Sequence, residues 1–264
     1  MSSLRGRFNP ALGIRDPWDL RGFGAAVSEP AAGPRKEYVF DDSTTAVQCL
    51  SMSDYDWSYP NEPDLSEFGI LVRVTLADTP TAPRWIWADY ETGETLSWYL
   101  YIHNDGRLLF YIKTGVGYGF NTCQTDTSFV STIVGVETLI YATYVDGGMK
   151  LFAGQGDDAL TELDSASPVT EPFEGSGQVV FGAHTPSIWG WYGTIHQPCF
   201  FTANDGADIP TETEVGSAAT PVDLGSHPAL FSSPDADHAF PNLDRTHPQA
   251  WTNENSLGVQ VRGS

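Results

Sequence analysis

The chain has 264 residues, 41% of them hydrophobic and 12% aromatic, which is enough to pack a core and too apolar for a disordered chain. Its 34 acidic groups face 13 basic ones, a net charge of −21 that argues against a nucleic-acid-binding surface. No apolar run approaches the roughly 18 residues that a spanning helix requires, so membrane insertion is not expected.

The charge is uneven along the chain. Residues 1–36 hold six basic and three acidic groups, a surplus of +3 that leaves −24 on the remaining 228 residues. Such a charge is best tolerated where salt screens self-repulsion, which points to a saline habitat. The N-terminal residues lack the continuous apolar stretch of a signal peptide and contain Pro10 and Pro17. Residues 1–37 scatter large apolar side chains among Arg, Gly and Pro without a helical or strand period. This composition predicts an extended basic arm and linker that docks on a partner, with docking on the chain's own acidic body as the competing reading. Arg5, Arg7, Arg15 and Arg21 would supply charge-assisted contacts, and Phe8, Trp18 and Phe23 would fill pockets.

From residue 38 to about 205 the dominant signal is period-two alternation between Gly, Pro, Asn and Asp clusters, the pattern of strands with one buried face. Phe68, Ile70, Val72, Val74 and Leu76 line one face of the first clear strand. Trp98, Leu100 and Ile102 do so in the next, and the run His103-Asn104-Asp105-Gly106 signals a hairpin into Leu108, Phe110 and Ile112. Leu139, Tyr141, Thr143 and Val145 lead to a turn at Asp146-Gly147-Gly148, after which Met149, Leu151 and Ala153 return. Further strands are predicted over 177–183 and 191–202, with a helical turn over 210–215. Residues 206–264 read as that turn followed by an extended tail with anchors at Leu230, Phe231, Phe240, Trp251 and Leu257. Many short strands and no long helix predict an all-β, two-sheet antiparallel sandwich. Cys49, Cys123 and Cys199 sit among β-type residues without metal-binding spacing and are expected as buried free thiols.

The stretch Leu139 to Gly154, with Tyr144-Val145-Asp146-Gly147 at its turn, resembles the central hairpin of laminin-G-like domains. Trp98 to Ile102 with Gly106 to Phe110 resembles an earlier hairpin of that family, and Val180-Phe181-Gly182 and Trp191 to Ile195 its last core strands. The order and spacing agree over about 150 residues, and the resemblance implies a concanavalin-like jelly roll. Two positions depart from the family pattern. Glu137-Thr138 stands where a Trp-His pair commonly opens the central strand, and His196 stands where Asp often follows the Gly-x-Ile step. A family calcium site is therefore in doubt. Phe231 to Phe240 and Trp251 to Asn255 resemble the ending of laminin-G-like virion proteins of tailed viruses.

Glycosidases of this fold place carboxylates in a Glu-x-Asp-x-x-Glu run on one strand, and no such run occurs here. There is no His-Glu-x-x-His, no Gly-x-Ser-x-Gly elbow, and no complete calcium loop at Asp235 and Asp237. The expectation is a non-enzyme without catalytic residue, metal or cofactor. Aromatic clusters remain, because flat rings stack on sugars: Trp57, Trp87, Tyr90, Trp189 and Trp191 are the candidate carbohydrate contacts, and core packing is their competing role. The function so implied is a structural protein on the virion surface of a tailed virus, as head decoration or tail component. It would be anchored to other virion proteins by its termini, self-associated as a homo-oligomer, and able to bind a host surface glycan. The alternative is a stand-alone lectin-like module.

Overall fold

A computed structural model describes residues 36–41, 47–56, 66–90, 98–113, 119–156, 158–167, 176–185, 188–203, 209–217, 229–232, 242–243, 252–254 and 258–261. The proposed anchoring residues Arg5, Arg7, Phe8, Arg15, Trp18, Arg21 and Phe23 lie outside them, as does Trp57. In chain order the first strands are β1 (Lys36–Phe40), β2 (Cys49–Asp56), β3 (Phe68–Leu76), β4 (Arg84–Tyr90), β5 (Trp98–Ile102), β6 (Leu108–Lys113) and β7 (Phe120–Gln124). A short helix α1 (Phe129–Ile133) precedes β8 (Thr138–Val145), β9 (Gly148–Gln155), β10 (Thr161–Ala166), β11 (Ser176–Phe181), β12 (Ala183–Thr185), β13 (Ile188–Gly190) and β14 (Gly193–Thr202). Helix α2 (Glu212–Ser217) is followed by β15 (Ala229–Ser232), β16 (Asn242–Leu243), β17 (Thr252–Glu254) and β18 (Gly258–Val261).

These strands form two antiparallel sheets. One runs β10-β9-β8-β3-β14-β1-β18, with β15 and β16 added beside β14; the other runs β17-β2-β11-β4-β5-β6-β7. The alternation read from the sequence becomes the core between them. Phe68, Ile70, Val72, Val74 and Leu76 of β3 are fully buried, and Phe68 meets Trp98 and Phe110 of the opposite sheet at ring-centroid separations of 6.1 and 6.0 Å. The turn between β8 and β9 places Asp146 and Gly147 at φ 52° and 67°, the paired positive values of a two-residue hairpin turn whose twist matches the flanking strands.

The opposite face of the larger sheet carries a second apolar cluster, in which Leu71, Leu139, Tyr141, Phe152, Cys199 and Phe201 meet Ile209 and Val215. Helix α2 therefore covers that face. Its first turn is fixed by a reciprocal cap, in which the Glu214 amide donates to Thr211 Oγ1 (3.3 Å) and the Thr211 amide to Glu214 Oε2 (2.8 Å). The Tyr141 hydroxyl donates to the Pro210 carbonyl and ties the helix entry to the sheet. One feature differs from the sequence reading. Helix α1 sets Phe129, Val130 and Ile133 into the main core, although its five residues are too few to show a helical period. Strands from the C-terminal stretch also join both sheets, β18 beside β1 and β17 beside β2. The three cysteines are buried and free.

Candidate functional site

The outer face of the smaller sheet is the part of the fold where chemistry collects. In β5 and β6 the inward positions are Trp98, Leu100, Ile102, Leu108, Phe110 and Ile112. Strict alternation then turns Tyr99, Tyr101 and Tyr111 outward. Strand β4 breaks that rule. Its register against β5 shifts between Trp85 and Trp87, so Trp85 pairs with Tyr101 while Trp87 pairs with Leu100. The extra residue, Ile86, points into the core with Trp87, and Trp85 is left on the outer face. The bulge lies where the Gly182 amide donates to the Ile86 carbonyl (2.8 Å) and the Trp191 amide to the Gly182 carbonyl (2.6 Å). Gly182 has φ 85°, and a Cβ there would stand 2.0 Å from Phe40 Cε1, so only glycine lets the chain pass from β11 into the β12–β13 hairpin.

The outcome is a continuous row of rings across the sheet. Trp189, on β13, lies 6.4 Å from Trp85 with an interplanar angle of 6°. Trp85 stacks on Tyr101 at 4.6 Å and touches Tyr99 at 5.0 Å. Tyr99 stacks on Tyr111 at 4.1 Å, and Tyr111 on Phe120 of β7 at 4.9 Å. His184 sits against both indoles, 4.2 Å from Trp85 and 5.3 Å from Trp189, and burial pushes its pKa down to about 4. Burial raises the pKa of both the Tyr99 and Tyr111 phenols. Arg84 lies 5.7 Å over the Tyr192 ring and donates to the Gly190 carbonyl at the rim of the hairpin.

The five carbohydrate candidates fall in different places. Trp189 is 45% exposed, at the end of the row. Trp87 is fully buried among Trp98, Phe181 and Phe200, and Trp191 is 3% exposed in the same core, so neither offers a ring to a solute. This corrects the sequence expectation for both residues, and for Trp87 the β4 bulge is the cause. Tyr90 ends β4 opposite Gln178. Trp57 lies outside the described residues. The sequence reading passed over Tyr99, Tyr101, Tyr111, Phe120 and His184. Its own inward set in β5 and β6 implied that the intervening tyrosines face outward, and that was the available signal. The two departures from the laminin-G pattern also meet. The Glu137 carboxylate lies 3.4 Å from His196 Nε2 and 3.3 Å from the Arg73 guanidinium, which donates to the Gly156 carbonyl at 2.7 Å. Among the described residues no three His, Cys, Asp or Glu side chains gather as a metal site requires, and no helix is long and apolar enough to cross a membrane.

No protein-family model matches the chain. No curated protein sequence matches it either. Among solved structures it is similar to the native heptameric SAP-like pentraxin from Limulus polyphemus, with a TM-score of 0.54 and 11% identity over 86% of this chain and 95% of that one. It is similar to domains LG4-5 of the mouse laminin alpha1 chain, with a TM-score of 0.44 and 9% identity over 63% of this chain and 41% of the other. It also resembles tailspike protein 2 of Escherichia coli O157:H7 bacteriophage CAB120, with a TM-score of 0.41 and 11% identity over 66% of this chain and 27% of that one. At such identities a likeness concerns fold alone. Two packed antiparallel sheets and the match to the pentraxin agree: the chain has a concanavalin-like jelly-roll fold.

Proposed function

We propose that this chain is a non-enzymatic carbohydrate-binding jelly roll whose ligand face is the outer surface of the smaller sheet. The observation that carries the reading is the aromatic row ending in two exposed rings, Trp189 (45%) and Phe120 (59%). Exposed indole and phenyl rings are costly to leave in water without a purpose, and a ring face suits the apolar face of a pyranose. Tyr90 and Trp57 are kept as proposed sugar contacts on their sequence alone. The test is a glycan-binding screen of the full chain, followed by Trp189→Ala. Binding that the substitution weakens about tenfold, a loss of about 1.4 kcal/mol, supports the reading; a chain that retains no glycan sinks it.

The biological setting we favour is the surface of a tailed-virus particle, where copies of the chain are held by their termini to other virion proteins and to each other. The support is the +3 arm before a −24 body, together with the C-terminal stretch that resembles virion proteins. Deleting residues 1–30 should leave the melting temperature unchanged and abolish incorporation into particles. Normal incorporation of the truncated chain would refute anchoring by the arm.

A further inference from the structure

Building on the reading of this face as a glycan platform, we infer that its ligand is an extended, uncharged polysaccharide that bridges the two ring surfaces at the ends of the row, Trp189 and Phe120. A short terminal sugar would not do so. Near-parallel rings whose centroids lie under 5 Å apart must overlap face to face. That describes Trp85 on Tyr101 (4.6 Å, 14°), Tyr99 on Tyr111 (4.1 Å, 15°) and Tyr111 on Phe120 (4.9 Å, 24°). The inner rings therefore spend their faces on one another. Trp85 and Tyr99 are accordingly only 5% and 8% exposed, whereas the terminal rings stand at 45% and 59%. Stacking on sugar is confined to the ends, and the middle presents ring edges. The half-buried Tyr101 and Tyr111 have pKa values raised by burial, so their hydroxyls stay protonated at neutral pH and can hydrogen-bond a sugar hydroxyl.

The pairing register sets the length of the row. Trp85 lies opposite Tyr101, Tyr99 opposite Tyr111, and Lys113 opposite Phe120. The row thus moves four residues along the strands while crossing from β4 to β7. Through Tyr99 and Tyr111 the ring centroids advance by 5.0, 4.1 and 4.9 Å, so Trp85 and Phe120 lie no more than about 14 Å apart. Trp189 extends the row by a further 6.4 Å, on the side of β4 away from β5, where β12 continues from β11. The two end rings are thus at most about 20 Å apart, and with a pyranoside advancing about one strand spacing a ligand reaching both ends has about four sugars. Charge selects its class. An acidic chain would meet the field of a −21 molecule. Beside the row the Arg107 guanidinium is paired to Asp105 at 2.7 Å, and the His103 imidazole contacts the same carboxylate at 2.8 Å.

The experiment titrates the full chain with neutral β-linked oligosaccharides of two to six sugars, and with polygalacturonate, by calorimetry and tryptophan fluorescence. Affinity should rise about tenfold or more from the dimer to the pentamer and then level off. Trp189→Ala and Phe120→Ala should each remove that length dependence, Trp189→Phe should retain most of it, and thermal melts report that the variants are folded. Equal affinity for dimer and hexamer, or indifference to Phe120→Ala, overturns the bridging and leaves the platform standing. Preference for polygalacturonate overturns the uncharged class. Failure of every glycan to bind defeats the platform itself and the bridging with it.

Discussion

Trp189 has φ 56°, a left-handed backbone conformation that a bulky side chain adopts at a cost of about 1–3 kcal/mol. The chain tolerates this cost and in return holds an indole partly in solvent beside Trp85 and His184. Replacing Trp189 by Gly and by Ala removes the ring equally, but only Gly relieves the backbone. Trp189→Gly should be the more stable of the two by about 1 kcal/mol in denaturant unfolding, while both lose the same binding. Equal stabilities would show that the backbone is not strained there. His184 gives a pH signature. Its folded pKa is depressed to about 4 from 6.5, so it stays neutral in the folded chain while the unfolded chain takes up a proton as pH falls through 6.5. Its contribution is therefore complete above pH 6.5 and is lost progressively as pH falls toward 4. Melting temperatures of wild type and His184→Gln measured from pH 7 to 5 should fall less steeply for the variant; parallel curves would refute the assignment.

At the scale of elements, the β4 bulge and the bend at Gly182 act together. Without Ile86 in excess, Trp85 and Trp87 would share a face, as their spacing of two implies. The bulge separates them, one into the core and one onto the row. Gly193 opens β14 at φ 128°, and a Cβ there would lie 2.1 Å from the Thr75 carbonyl oxygen and 2.9 Å from the Ala77 nitrogen. Those atoms are backbone of the neighbouring strand and its exit, so they cannot swing aside. Gly193→Ala should cost about 3 kcal/mol or more in chemical denaturation, and a loss under about 1 kcal/mol would contradict the close approach. The contact of Glu137 with Arg73 and His196 shows a further element-scale effect. Residues 73 and 196 are cross-strand partners on β3 and β14, and Glu137 reaches them from the residue before β8.

Over the whole molecule, charge outweighs any single ion pair. The exposed Lys150–Glu162 pair at 3.4 Å is of a kind worth about 0–1 kcal/mol. A net −21 repels itself throughout the surface. Screening therefore relieves more repulsion than it removes attraction, and the melting temperature should rise between low and molar sodium chloride. A fall with salt would argue against the saline habitat inferred from composition.

The sandwich was legible in the sequence because side-chain alternation is a local consequence of the pleat. The inward set of β3, β5, β6 and β9 could be read from apolar residues two apart, whereas in β8 the residues so read, Leu139 and Tyr141, lie on the face that α2 covers and Ile140, Ala142 and Tyr144 turn inward; the Asp146-Gly147 hairpin could be read from the two residue types that best tolerate positive φ. The helical turn that becomes α2 was likewise announced, by Pro210 and the acidic residues after it. The candidate site was legible only in part. Trp189, Trp87 and Trp191 looked the same in the sequence, yet Trp189 is exposed and the other two are core. What separates them is a one-residue bulge and a glycine bend, and both depend on which strands pair and in what register. Strands β15, β17 and β18 carry too few residues to show a period, and their places were decided by the free edges and neighbouring strands they found. Local periodicity thus determined what each strand buries, and only tertiary pairing decided which outward rings became neighbours, because a row that crosses β13, β4, β5, β6 and β7 joins residues up to about a hundred positions apart.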